Sequence, residues 1–182
     1  MVLTLFLVTL AASTALGFIY ELTKQPIAES KMRKKNAAIQ KVVPEYSNQP
    51  NSEAYQVGVN GDSLMVYPAK QDGKLVGVAI SSFTTKGYSG RIRVMVGFKP
   101  DGTIENISVL QHQETPGLGD KIDKSKSDWS QQFNGKNPSD FQLKVTKDGG
   151  DVDAITAATI SSRAYCDAVE RAYQAFKKGG LQ

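Results

Sequence analysis

No charged side chain occurs between Met1 and Tyr20, and Leu3, Leu5, Phe6, Leu7, Val8, Leu10, Leu16, Phe18 and Ile19 dominate that run. The pattern predicts a helix able to cross a bilayer, because about 20 apolar residues at 1.5 Å each match a hydrocarbon core of roughly 30 Å. A cleaved signal peptide is the competing reading. The run is longer than a usual signal core and lacks a Lys/Arg-bearing leader, which favours a retained anchor over residues 1–20. From Glu21 the pattern turns charged and predicts a helical connector over residues 21–45, with Pro26 near its start. Its apolar positions Ile27, Met32, Ala38, Ile39 and Val42 are spaced irregularly, as in a partly packed helix.

Beyond Tyr46 the period shortens to two, and turn signals punctuate it. Leu64 to Tyr67 and Leu75 to Ile80 read as strands joined at Asp72-Gly73. Ile92, Val94, Val96 and Phe98 share one strand face, Lys99-Pro100-Asp101-Gly102 makes a turn, and Ile104 to Leu110 supplies the return strand. The connections are short enough to be antiparallel. Gly117 to Asn137 predicts loop with a short helix around Ser127 to Phe133, and Phe141 to Val145 alternates as a further strand. Tyr165, Val169, Ala172 and Phe176 fall on one face of a closing helix. The fold class expected is α+β: an N-terminal transmembrane helix, then one domain over residues 46–182 with an antiparallel sheet and flanking helices.

Composition narrows the chemistry. A chain of 182 residues with 40% hydrophobic content supports one well-buried domain plus a short appendage. Cys166 is the single cysteine, so intramolecular disulfides, cysteine-cluster metal sites and iron–sulfur centres are excluded, as is lipoprotein processing after the apolar run. The net charge of +4 does not mark a nucleic-acid binder, because outside Lys31 to Lys35 basic and acidic residues are interspersed. That basic cluster reads as a solvated face that favours anionic headgroups wherever it touches a membrane. His112 is the only histidine and no G-x-S-x-G elbow is present, which leaves no convincing hydrolase constellation.

Two segments stand out. Asp153-Ala154-Ile155-Thr156-Ala157-Ala158-Thr159-Ile160-Ser161-Ser162 puts small residues and hydroxyls at the start of the closing helix, with Thr156 or Ser161 as candidate N-cap. A helix start aims free N–H groups at an anion, although an ordinary capped helix explains the same residues. The second segment is Gly87-Tyr88-Ser89-Gly90 together with His112-Gln113-Glu114-Thr115-Pro116-Gly117-Leu118-Gly119-Asp120. Read alone, Glu114 to Gly119 is a tight turn, Tyr88 a half-buried strand tyrosine and His112 a structural residue.

Together these segments resemble the FMN-binding G subunit of Rnf-type ion-translocating electron transport complexes, and are similar to the C subunit of the sodium-pumping NADH:quinone reductase. The resemblance runs over nearly the whole chain, and the short length favours the former. It implies an electron-carrying flavoprotein subunit of a ferredoxin:NAD-type translocase, inactive alone, with FMN esterified through its phosphate to Thr159 and Asp153 helping to position that motif. It further implies cofactor contacts from Thr156, Ala157 and Ala158, and ring contacts from Glu114, Thr115, Gly117, Leu118 and Tyr88. Ala157 stands where that family usually has glycine. A separate flavin transferase moving FMN from FAD, and membrane subunits of the complex, are the implied partners. The expected location is the bacterial inner membrane, single-pass, with the flavin domain extracytoplasmic. The positive-inside rule pulls the other way, since Lys24, Lys31, Arg33, Lys34 and Lys35 follow the span; siding with the family implies that Met1 is an internal start. Two rivals remain: a stand-alone membrane-anchored FMN carrier, and an unflavinylated membrane-tethered binding domain.

Overall fold

The computed structural model describes residues 1–179. It divides into two units, Met1–Asn36 and Ala37–Gln182. The first unit belongs to a single helix, α1, which spans Val2–Val42 and continues through Pro26. By length and composition α1 can cross a membrane, and none of its apolar window is buried.

The second unit is an antiparallel sheet with a helix on each face. Its strands are β1 (Tyr55–Val59), β2 (Asp62–Gln71), β3 (Lys74–Gly87), β4 (Gly90–Phe98) and β5 (Ile104–Gln111), each paired with its sequence neighbours. The β1–β2 and β2–β3 turns place Asn60-Gly61 and Asp72-Gly73 at positive φ, the two-residue geometry that matches the twist of paired strands.

Period two sorts the sheet residues. Val66, Val78, Ile80, Ile92, Val94, Val96 and Phe98 face the closing helix α2 (Thr159–Gly179), which presents Tyr165, Val169, Ala172 and Phe176. Tyr67, Ala69, Ala79 and Met95 face the other way and are covered by Ala38, Ile39 and Val42 at the end of α1 and by Val43 just after it. Removing Ile39 or Val42 from water contributes about 1.5–3 kcal/mol each. Asn106 Nδ2 donates to the Lys41 carbonyl at 2.7 Å and satisfies one acceptor at the helix end.

The α+β class, the meander and the short helix near Ser127 agree with the sequence pattern, and one local expectation does not. Phe141 to Val145 is no strand: it meets only an isolated bridge, Val145 to Val152, and its alternation arises because Leu143 and Val145 are buried under α2 without a neighbouring strand to pair with. The short helix near Ser127 is a 3₁₀ segment, Trp129–Phe133. It is held from outside by Trp129 Nε1 donating to the Asp153 carbonyl at 2.6 Å.

Candidate functional site

Three segments distant in sequence meet at one end of the sheet. The β3–β4 turn carries Tyr88, the turn after β5 carries Thr115 to Gly119, and the loop from Asp153 leads into α2. They enclose an open cavity of about 490 Å³, within the roughly 300–1,000 Å³ range of small-molecule sites. Tyr88, Thr115 and Leu118 line one side, and Ala157, Ala158 and Thr159 the other.

The rim is apolar where a folded domain normally is not. Tyr88, Leu118 and Ile160 are the exposed large hydrophobic side chains of the second unit's described residues, at 69%, 42% and 48% exposure, and all three line this cavity. Tyr88 is therefore a turn residue turned to solvent, unlike the half-buried strand tyrosine of its local reading. A clustered apolar rim marks a surface built to be covered.

The other wall is formed by the helix start, which brings backbone N–H groups beside the small side chains of Ala157 and Ala158. α2 opens at Thr159, and its first intrahelical bond runs from Ser162 N–H to the Ala158 carbonyl at 3.1 Å. The N–H groups of Thr159, Ile160 and Ser161 thus have no acceptor within the helix. Neither Thr156 nor Ser161 caps it. Thr156 lies three residues upstream in a turn, and Ser161 is inside the first turn with its hydroxyl donated to Glu114. Ser162 braces the loop instead: its hydroxyl donates to the Ala158 carbonyl at 3.1 Å and accepts from Ile155 N–H at 3.0 Å. Thr159 is partly buried in the wall, and its hydroxyl bonds to no described residue.

Ala157 adopts φ 62°, a left-handed conformation that costs a residue with a β-carbon about 1–2 kcal/mol. The loop imposes it, through Ala158 N–H bonding the Ile155 carbonyl at 3.0 Å across a tight turn. Ala157→Gly is expected to stabilise the protein by about 0.5–1 kcal/mol, the strain relieved less the entropy glycine adds to the unfolded chain. Thermal unfolding checks this, and a lowered Tm contradicts it.

Three sequence candidates lie off the cavity lining. Thr156 and Gly117 are exposed in adjoining turns, and Glu114 is buried at 4% exposure, its carboxylate accepting from Ser89 N–H at 3.0 Å and from the Ser161 hydroxyl. Gly119, the last residue of the Glu114 to Gly119 turn, lines the cavity; Ile160 and Ser161 also line it, and sequence reasoning does not single them out as ligand contacts, although an apolar isoleucine beside a phosphate-type helix start is a signal that points to the former. His112 acts locally, Nδ1 accepting from Glu114 N–H at 3.2 Å. Cys166 is buried, and desolvation pushes its thiol up to about 12, so it stays protonated and inert. Among the described residues no His/Cys/Asp/Glu group has a metal-binding arrangement.

The residues fit a flavin mononucleotide: free N–H groups at a helix start suit its phosphate, and the apolar rim suits a planar ring. Comparison with known proteins agrees. Residues 87–174, which contain all three segments, match the FMN-binding domain family. The chain is 40% identical over 174 residues to the G subunit of an ion-translocating oxidoreductase complex from Vibrio atlanticus, covering 90% of this chain and 83% of the relative. G subunits of the same description from Salmonella typhi and Escherichia coli are 40% and 41% identical over 171 residues, each covering 89% of this chain and 83% of the relative.

Proposed function

Since this chain belongs to the family of G subunits of ion-translocating oxidoreductase complexes, we propose that it is an electron-carrying flavoprotein subunit of a ferredoxin:NAD-type translocase with FMN held covalently on Thr159. The observation carrying this reading is the cavity itself, where an unengaged threonine hydroxyl, three free helix N–H groups and an apolar rim face one space. FMN supplies one- and two-electron transfer, which asks little of acid–base side chains.

The chain's own residues divide the work. The N–H groups of Thr159, Ile160 and Ser161, at the positive end of α2, would hold the phosphate. Ala157 and Ala158 let it approach the backbone. Tyr88, Leu118 and Ile160 would supply apolar contact to the ring, and Thr115 would offer it a hydroxyl. Thr159 would supply the hydroxyl oxygen that is esterified, taking the place of AMP on the flavin-side phosphate of FAD, with its proton taken up by a base of the flavin transferase. An unaided threonine is a poor nucleophile, and the cavity brings no base to it, which is why a separate enzyme is required. Asp153, whose backbone is pinned by Trp129 Nε1 and by Gln132 Oε1 at 2.8 Å, leaves its exposed side chain to that enzyme.

The Thr115 to Gly119 turn tunes the ring rather than retaining it. Leu118→Ala and Thr115→Val are expected to shift the visible flavin spectrum or midpoint potential while intact mass shows the flavin still attached. Wild-type spectra and potentials in both variants would return the turn to a purely structural role.

Residues 1–20 anchor the protein in the bacterial inner membrane, 21–45 form the connector, and 46–182 are the FMN-binding domain, which works among the complex's other subunits on the extracytoplasmic side. The basic cluster after the span argues for the opposite orientation. Alkaline phosphatase fused after Gln182 is expected to be active, because the reporter needs an oxidising compartment for its disulfides. An inactive but well-expressed fusion reverses the topology.

A further inference from the structure

We propose that Glu114 is the positioning residue of this site, its carboxylate tying together from behind the three segments that form the cavity; this rests on reading the cavity as the flavin site. Oε1 accepts from the backbone N–H of Ser89, the residue after Tyr88, at 3.0 Å. Oε2 accepts from the hydroxyl of Ser161, two residues beyond Thr159 in the first turn of α2. Glu114 itself opens the turn carrying Thr115 and Leu118. One side chain therefore fixes the ring-side turn, the apolar turn and the helix start relative to one another.

Gly119 leaves room for this carboxylate: a β-carbon there would stand 2.9 Å from Oε2 and 2.5 Å from Ser161 Oγ. Gly87 is held first by its own turn, where a β-carbon would stand 2.3 Å from the Gly90 carbonyl oxygen and 2.8 Å from Glu114 Oε1. Glu114 makes no ion pair with any described residue. An unpaired buried charge costs more than an apolar side chain of like volume, even with the α2 N-terminus offsetting part of that cost. Stability alone gives no reason for a carboxylate there, whereas a rigid fork of two acceptors aimed at two different segments does.

The test uses the full chain co-produced with a flavin transferase and compares wild type, Glu114→Gln, Glu114→Ala and Val152→Ala. The last is a buried core change away from the cavity lining, serving as a control for lost stability. An amide keeps an acceptor for Ser89 N–H and offers an NH₂ to Ser161 Oγ, so Glu114→Gln preserves the tie without the charge. Flavin attachment by intact mass is expected to stay within about twofold of wild type in Glu114→Gln and to fall roughly tenfold or more in Glu114→Ala, as misplacing a reacting group by about 1 Å does. Val152→Ala should retain attachment at a comparable loss of Tm. Wild-type attachment and spectrum in Glu114→Ala, equal loss in Val152→Ala, or equal loss in Glu114→Gln would each overturn the proposal. If wild type itself acquires no flavin, the covalent reading fails, and the tie is judged by Ser89 amide exchange. That exchange should be slow in wild type and Glu114→Gln and faster in Glu114→Ala; equal rates in all three would refute the tie.

Discussion

Thr159→Ala is expected to remove covalent flavin completely from protein made together with a flavin transferase, while Thr156→Ala keeps part of it. Thr159 supplies the only hydroxyl that both lines the cavity wall at the helix start and bonds to no described residue. The neighbouring hydroxyls are engaged or displaced: Ser161 donates to Glu114, Ser162 to the Ala158 carbonyl, and Thr156 lies outside the cavity lining in an exposed turn. Because the Thr159 hydroxyl holds no other group in place, its loss should leave stability within about 0.5 kcal/mol of wild type, as for surface positions free of structural roles. Thr159→Ser should recover attachment, since it restores the oxygen. Intact mass gives a direct readout, an increment of FMN less one water, with in-gel fluorescence beside it. A retained increment in Thr159→Ala would move the attachment elsewhere and withdraw the role assigned to the α2 start.

Much of the sheet could be read from alternation because one face packs on α2 and the other on the end of α1, so Ile92, Val94, Val96 and Phe98 had to be apolar together. β1 escaped that reading. It is a short edge strand, with only Val59 fully buried, and its clearest mark is the adjoining Asn60-Gly61 turn rather than its own residues. Phe141 to Val145 failed in the opposite sense, because alternate burial of a loop on a core imitates a strand. At the site, the hydroxyls and small residues before α2 were legible as a helix start. Glu114 was not, since a carboxylate in a Gly-rich turn reads as a ligand-facing group, and its burial depends on Ser89 and Ser161 arriving from remote segments. Ala157 shows the same limit. Local preference argues against positive φ for alanine, yet the tertiary turn imposes it.

Gly97→Ala is expected to be the most damaging single-methyl change in the second unit. Gly97 sits on β4 between β3 and β5, on the face covered by the end of α1. A β-carbon built there falls inside the Val42 carbonyl group and 2.9 Å from Val42 Cβ, so the helix backbone lies directly on the strand. The strand cannot yield, being hydrogen-bonded on both sides, and the last turn of α1 must lift. That displacement exposes Ala38, Ile39 and Val42, and the expected cost is about 3 kcal/mol or more. For a unit of this size such a loss lowers Tm by roughly 6–12 °C. Gly58→Ala on β1 is the matched control, because its β-carbon would meet nothing within 4 Å, and it should change stability by no more than about 0.5 kcal/mol. The consequence for function is separable. Gly97 is seven residues along β4 from Gly90 at the cavity end, about 23 Å at 3.3 Å per residue, so flavin attachment should persist below the lowered Tm. An unchanged Tm in Gly97→Ala would mean that the end of α1 does not rest on β4 in solution, whereas a lowered Tm with flavin retained would show that the connector's seat and the cofactor site are held by different parts of the same sheet.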